Sequence, residues 1–116
     1  MKLKTSELSG AALDWAVAKC EGYTDWCGDT EKLLPPRKEY GWVDLCDLRY
    51  STDWAQGGPI IGRGGISWHC GNKTSWHAYA YGSPTNYNGP TPLIAAMRCY
   101  VASRLGDEVE VPEELA

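Results

Sequence analysis

The residues with the clearest chemical potential lie in one short stretch, residues 53–59. Within it an indole, a carboxamide and two glycine amides follow one another, those of Trp54, Gln56, Gly57 and Gly58. An indole stacks on a nucleobase, and a carboxamide pairs with a base edge through one donor and one acceptor. Glycine amides approach an anion without obstruction from a Cβ atom. The stretch therefore indicates a site for a small nucleotide-like anion, while a turn fixed by a buried Trp54 is the plainer interpretation.

Three residues farther along the chain extend this hypothesis. Arg63 lies in the glycine-rich stretch 62–65, where we expect a hairpin turn that lets the guanidinium fork onto phosphate. Trp68 would supply a second aromatic wall. Thr91 opens a helix whose free amides and dipole attract an anion, although Pro92 removes one amide and a simple N-cap is the plainer role. For Arg63, the plainer role is a solvated surface charge.

Cysteine and histidine occur together at His69, Cys70 and His77. Their spacing lacks the close ligand pairs typical of zinc sites, and no third group is identifiable that would orient a Cys70–His77 nucleophile pair. The chain also lacks the phosphate-binding loop, nucleophile-elbow and zinc-protease motifs. We therefore predict a non-enzymatic protein with no catalytic residue, metal or cofactor, and keep a small Cys/His hydrolase as an alternative.

Two helices are expected to position these residues. Ser9 is a suitable cap for a helix that ends before Gly22, and apolar residues recur along it at helical spacing. Thr91 and Pro92 are the expected N-cap and first residue of a second helix, which Gly106 ends. The predicted helices cover about 9–21 and 92–105.

Between the helices, short aromatic and β-branched segments at 42–43, 59–61, 66–68 and 76–81 predict short antiparallel strands. In the last of these, His77, Tyr79 and Tyr81 alternate with small or apolar residues at 76, 78 and 80, which predicts two chemically different faces. The expected fold class is α+β, with one small antiparallel sheet packed against the two helices. We expect a single domain, 1–116, with a solvated acidic tail from about residue 107.

Composition narrows the partners. The chain has 116 residues and a formal net charge of −4, which disfavours binding to duplex nucleic acid. It has 6 Trp and 7 Tyr but no Phe, so every phenyl-type or indole ring carries a polar handle suited to a half-buried surface. Five cysteines, no signal-peptide core and no long apolar run predict a reduced, soluble protein with no membrane partner. The sequence leaves a homo-oligomer open.

Three stretches resemble the NinX-like proteins of lambdoid phages: KTSELSGAALDWAVA at 4–18, STDWAQGGPII at 51–61 and GPTPLIAAMR at 89–98. The resemblance implies an early-expressed, dispensable phage product in the host bacterial cytoplasm, of a kind that often blocks host defences. Our leading hypothesis is therefore sequestration of a nucleotide-like defence signal. The alternative is docking on a host protein through an exposed Trp, Tyr and Arg patch.

Overall fold

A computed structural model describes residues 1–72, 74–81, 83 and 85–116, with residue 38 described by its backbone alone. Three helices lie among the described residues: α1 (Gly10–Cys20), α2 (Trp54–Gly64) and α3 (Pro92–Leu105). Eight short strands accompany them: β1 (Lys2–Lys4), β2 (Thr24–Cys27), β3 (Lys32–Leu34), β4 (Val43–Asp44), β5 (Ile66–Asn72), β6 (Ser75–Ala80), β7 (Tyr87–Gly89) and β8 (Glu108–Glu110). They form three antiparallel sheets, β1–β8, β2–β3–β4 and β5–β6–β7.

Helix α3 lies at the centre of the fold. It packs against α1, α2 and the β5–β6–β7 sheet, so it is buried on most sides. The Thr91 hydroxyl accepts a hydrogen bond from the Ile94 amide at 3.1 Å, and Pro92 occupies the first turn. The predicted N-cap and helix are confirmed, as is the predicted first helix, which the structure places at Gly10–Cys20.

Helix α2 replaces a strand and a turn. The predicted strand at 59–61 and hairpin turn at 62–65 are wrong, because residues 54–64 form one helix that ends at a left-handed Gly65 with φ of 63°. Four glycines and Pro59 make this segment a poor helix former by itself. Tertiary burial of Ile60 and Ile61 and a cap from the Asp53 carboxylate, which accepts from the Ala55 amide at 2.9 Å, outweigh that preference.

The α+β class is confirmed, but the described residues form three small sheets where a single sheet was predicted. In the β5–β6–β7 sheet, Ala78 is buried towards α3 while Tyr79 is exposed, which agrees with the predicted two faces of this segment. No helix in the part of the chain that the structure describes is long and apolar enough to cross a membrane.

The C-terminal segment is part of the fold rather than a solvated tail. Strand β8 pairs with β1, and Val109 and Val111 are buried. The predicted extension from residue 107 is therefore wrong over this stretch. Its glutamates alternate with valines, so one face of a strand is apolar while the other holds the charges.

Candidate ligand-binding site

Two tryptophans predicted to bind a ligand lie in contact. Trp54 is the first residue of α2 and Trp68 lies in β5, and their ring centroids are 5.6 Å apart with the planes tilted by 49°. Trp54 is 47% exposed and Trp68 is 41% exposed. Each indole therefore keeps a large solvent-accessible surface, although each is anchored on a regular element.

A cleft of about 180 Å³ adjoins the Trp54 ring. Its walls come from the turn before α2, the start of α2 and the first turn of α3, namely Ser51, Thr52, Trp54, Thr91, Leu93 and Ile94. The cleft brings Thr91 into the neighbourhood of the tryptophan pair, as the binding hypothesis requires. Its volume is below the roughly 300–1,000 Å³ typical of small-molecule sites. One chain therefore presents a shallow site.

Gln56 is engaged within the protein. Its Oε1 accepts from the Arg49 amide at 2.8 Å, and its Nε2 donates to the Asp47 carbonyl oxygen at 3.0 Å. These two bonds fix the segment that precedes α2 onto the start of the helix. The sequence predicted that the Gln56 carboxamide would pair with the edge of a nucleobase. In the structure it instead holds the start of α2, and with it Trp54, in position.

The glycine amides are likewise part of the helix. The Gly57 amide donates to the Asp53 carbonyl oxygen at 2.9 Å, and Gly57 is buried where α2 meets the Tyr50 carbonyl and the Leu93 side chain. Gly58 lies beside the Trp54 ring. Neither glycine forms the open anion-binding loop that the sequence suggested, because both lie within α2, where the Gly57 amide donates a hydrogen bond inside the helix.

Arg63 lies at the far end of α2. Nine residues of helix place it about 13 Å along the axis from Trp54. Its Nη2 donates to Glu21 Oε1 at 2.7 Å, and the Tyr100 hydroxyl donates to Glu21 Oε2 at 2.6 Å. Burial and the bond to Glu21 raise the pKa of Tyr100 to about 12. Arg63 therefore belongs to a network that ties α2 to α1 and α3, away from the cleft.

The cysteine and histidine residues do not form a nucleophile pair. His69 and His77 are directly opposed on β5 and β6 with stacked rings, whereas Cys70 is opposed to Trp76. Consecutive residues of a strand point to opposite faces, so the Cys70 thiol and the His77 ring lie on different sides of the sheet. His77 Nδ1 donates to Asn88 Oδ1. No group of three metal-ligating side chains occurs among the described residues.

A buried carboxylate supports the floor of the cleft, and the sequence reasoning missed it. Asp14, on the buried side of α1, is 8% exposed and accepts from the Ser51 amide at 2.8 Å. Burial raises the pKa of Asp14, and its contacts with Ser51 offset part of that rise. The available signal was one acidic residue within the otherwise apolar run 11–18.

Asp14→Asn is expected to change how stability depends on pH. Since the folded pKa lies above 3.8, the folded state holds the proton more tightly, and the wild type loses stability as pH rises through that folded pKa. The asparagine variant keeps an acceptor for Ser51 and lacks this loss. Urea unfolding between acid and neutral pH should show that the free energy of unfolding of the wild type rises relative to that of Asp14→Asn as the pH falls. A difference between the two proteins that does not change with pH would contradict a raised pKa of Asp14. Asp14→Ala, which leaves the Ser51 amide unpaired, should be about 1–3 kcal/mol less stable than Asp14→Asn at every pH, because neither variant titrates at this position.

The chain matches a known protein family. A family model described as "Bacteriophage P22, NinX" matches residues 4–104 of the chain. The matched range includes α1, α2 and most of α3, and so the tryptophan pair and its cleft. No curated protein matches the chain.

Proposed function

Because the chain belongs to the bacteriophage P22 NinX family, as the sequence resemblance predicted, we propose that it is a non-enzymatic phage accessory protein that binds a small nucleotide-like ligand. The contact between Trp54 and Trp68 carries this proposal. By holding the ligand, the protein lowers its free concentration in the host bacterial cytoplasm. A nucleotide-derived signal of host defence is the ligand class we propose.

Exposure of the two indoles supports binding of a flat molecule. Large aromatic rings left in water beside one another form an apolar surface suited to a partner. With centroids 5.6 Å apart and planes tilted by 49°, the rings leave no room for a base between them, so a base would stack on the solvent-exposed face of one indole beside the other. Stacking of this kind contributes about 1–3 kcal/mol per base.

Polar contacts in this proposal differ from those first predicted. Gln56 and Arg63 bond within the protein, so we place them outside the contact set. Thr52 and Thr91 line the cleft and offer hydroxyl groups. Thr91 accepts from the Ile94 amide and still has its own O–H to donate, near the positive end of the α3 dipole. A phosphate would therefore lie at the start of α3.

Trp54→Ala tests the proposal against a matched control. Trp42 lies outside the cleft and is 50% exposed, close to the 47% of Trp54, so Trp42→Ala removes a similar ring from a different surface. Titration calorimetry with a panel of cyclic mono- and dinucleotides should find a wild-type ligand whose affinity falls about fivefold or more in Trp54→Ala, since stacking contributes about 1–3 kcal/mol. Trp42→Ala should bind like the wild type.

Two results would refute nucleotide binding at this site. One is a folded Trp54→Ala protein with wild-type affinity for the same ligand. The other is a wild-type protein that binds no member of the panel. Circular dichroism of both variants checks that each retains the fold.

A second candidate function rests on a different surface. Tyr40 and Trp42 are exposed, and the Arg37 guanidinium lies 5.0 Å from the centre of the Tyr40 ring. Exposed aromatic residues with arginine are typical of protein-binding hot spots. If this patch docks on a host protein, Trp42→Ala should lose the partner and Trp54→Ala should retain it, the reverse of the nucleotide result.

A further inference from the structure

Strand β5 has one free edge. It pairs with β6 on one side, and among the described residues no strand pairs with its other side. Residues 67–72 are exposed along the whole strand apart from its buried first residue, Ile66. A free edge presents unpaired amide and carbonyl groups, which are a template for another strand.

This edge has little of the usual protection over residues 66–70. Natural edge strands are shielded by charged side chains, proline, bulges or a very short length. β5 is seven residues long, ISWHCGN, with no formally charged residue and no proline, and its irregularity is confined to the far end between Cys70 and Asn72. Its composition therefore favours pairing.

The register identifies which groups point outward. The Tyr81 amide donates to the Gly65 carbonyl oxygen at 3.0 Å, in register with the pair Ile66 and Ala80. In an antiparallel ladder, alternate residues bond to the same neighbour. Ser67 and His69 thus direct their backbone groups to β6. Trp68 and Cys70 direct theirs to the free edge.

We propose that a second copy of this chain pairs with β5, edge to edge and antiparallel, to form one continuous six-stranded sheet. An antiparallel edge is self-complementary. When two copies of the same strand are related by a twofold axis, the outward amide groups of each copy bond to the outward carbonyl groups of the other. The chain carries a net charge of −4, and an uncharged strand is where two such chains approach with little repulsion. Pairing of Trp68 with Cys70 of the second copy, both in the regular part of β5 with outward backbone groups, places the axis at His69.

Pairing at this axis completes the binding site. Trp68 of each copy lies opposite Cys70 of the other, so the two Trp68 side chains become diagonal neighbours about 7–8 Å apart on one face. Trp68 of the second copy then closes the shallow cleft beside Trp54. The pairing is inferred from the free edge of β5 alone, whereas its role in completing a binding site rests on the proposed function.

Sedimentation velocity of the complete chain over a range of micromolar concentrations tests the pairing. The wild type should sediment with twice the 12.8 kDa mass of one chain. Cys70→Pro removes an amide at the free edge and spares the bonds to β6, so it should sediment as a monomer. Cys70→Ser keeps that amide and should remain a dimer. A monomeric wild type would overturn the proposal and leave the edge for a strand from another protein.

Disulfide trapping tests the axis without relying on a proline variant. In a Cys27→Ser, Cys46→Ser, Cys70→Ser background, which removes the accessible native thiols, His69→Cys places two identical thiols opposite each other, at a Cβ separation of about 4.5–5.5 Å before closure. Mild oxidation should give a covalent dimer in high yield. Ser67→Cys lies opposite Gly71 of the second copy and should stay monomeric on a denaturing gel. Equal cross-linking of both variants would overturn the axis at His69.

The two proposals fail separately. A monomeric wild type that binds a nucleotide overturns the pairing and leaves the proposed function intact. A dimer that binds no nucleotide supports the pairing and overturns the proposed function. A dimeric wild type that binds a ligand, together with a monomeric Cys70→Pro that binds it about tenfold more weakly, supports both, since that loss equals the removal of about one stacking contact.

Discussion

Gly57→Ala is expected to lower the free energy of unfolding by about 1–3 kcal/mol, because this glycine allows α2 to approach its neighbours closely. A Cβ atom at position 57 would overlap the Tyr50 carbonyl oxygen and lie 2.6 Å from Leu93 Cδ1. A backbone carbonyl cannot rotate aside as a flexible side chain does. The helix must therefore shift away from α3, and Trp54 at its first turn must shift with it.

Gly62→Ala in the same helix is the matched control. Apart from its chain neighbours and the backbone of its own helix, no described residue has an atom within 4 Å of a Cβ built at Gly62, so alanine there gains helix propensity without a clash. It should raise stability by about 0.5–1 kcal/mol. Urea denaturation of both variants should give changes of opposite sign. Equal changes would show that propensity, rather than packing at Gly57, determines the stability of α2.

Arg98→Met is expected to lower the free energy of unfolding by about 2–4 kcal/mol, since bonds from a charged donor contribute about 1.5–3 kcal/mol each and do not add fully. Arg98 Nε donates to the Leu8 carbonyl oxygen and Nη1 to the Asn88 carbonyl oxygen, both at 2.7 Å. Burial lowers the pKa of Arg98 without removing its charge at neutral pH. One side chain thus joins α3 to the segment before α1 and to β7.

Two variants separate the effect of the two hydrogen bonds of the Arg98 guanidinium from the effect of its positive charge. Arg98→Lys keeps the charge but offers a single nitrogen, which cannot reach two carbonyls as a guanidinium does, so it should lose most of the same stability. Arg104→Met removes an exposed arginine whose guanidinium lies 5.4 Å from the Tyr100 ring centre. It should cost less than about 1 kcal/mol, the usual size of an exposed cation–π contact. Chemical denaturation that ranks Arg104→Met with Arg98→Met would contradict the role of the two carbonyls.

Local signals predicted α1 and α3 because each has its own information: apolar residues at helical spacing, a capping position and a terminating glycine. The Thr91 cap was therefore correct to the residue. Strand β6 was predicted for a similar reason, since alternation along 76–81 separates a packed face from an exposed one.

Helix α2 could not be predicted in this way. Its glycines are unfavourable in an isolated helix, and their purpose is visible only when Leu93 and the Tyr50 carbonyl approach Gly57. That single error misplaced the candidate site, because a hairpin would bring Arg63 back beside Trp54 whereas a helix carries it away. Asp14, too distant in sequence to be linked with Ser51, was missed for the same reason.

The sequence by itself determined the family, the α+β class and two of the helices, since these depend on residue type and short-range pattern. Tertiary structure alone decided that the two indoles touch, that Gln56 and Arg63 bond elsewhere, and that β5 ends a sheet. Contacts between distant segments depend on how helices and strands pack, and a poor helix former such as 54–64 takes its conformation from that packing.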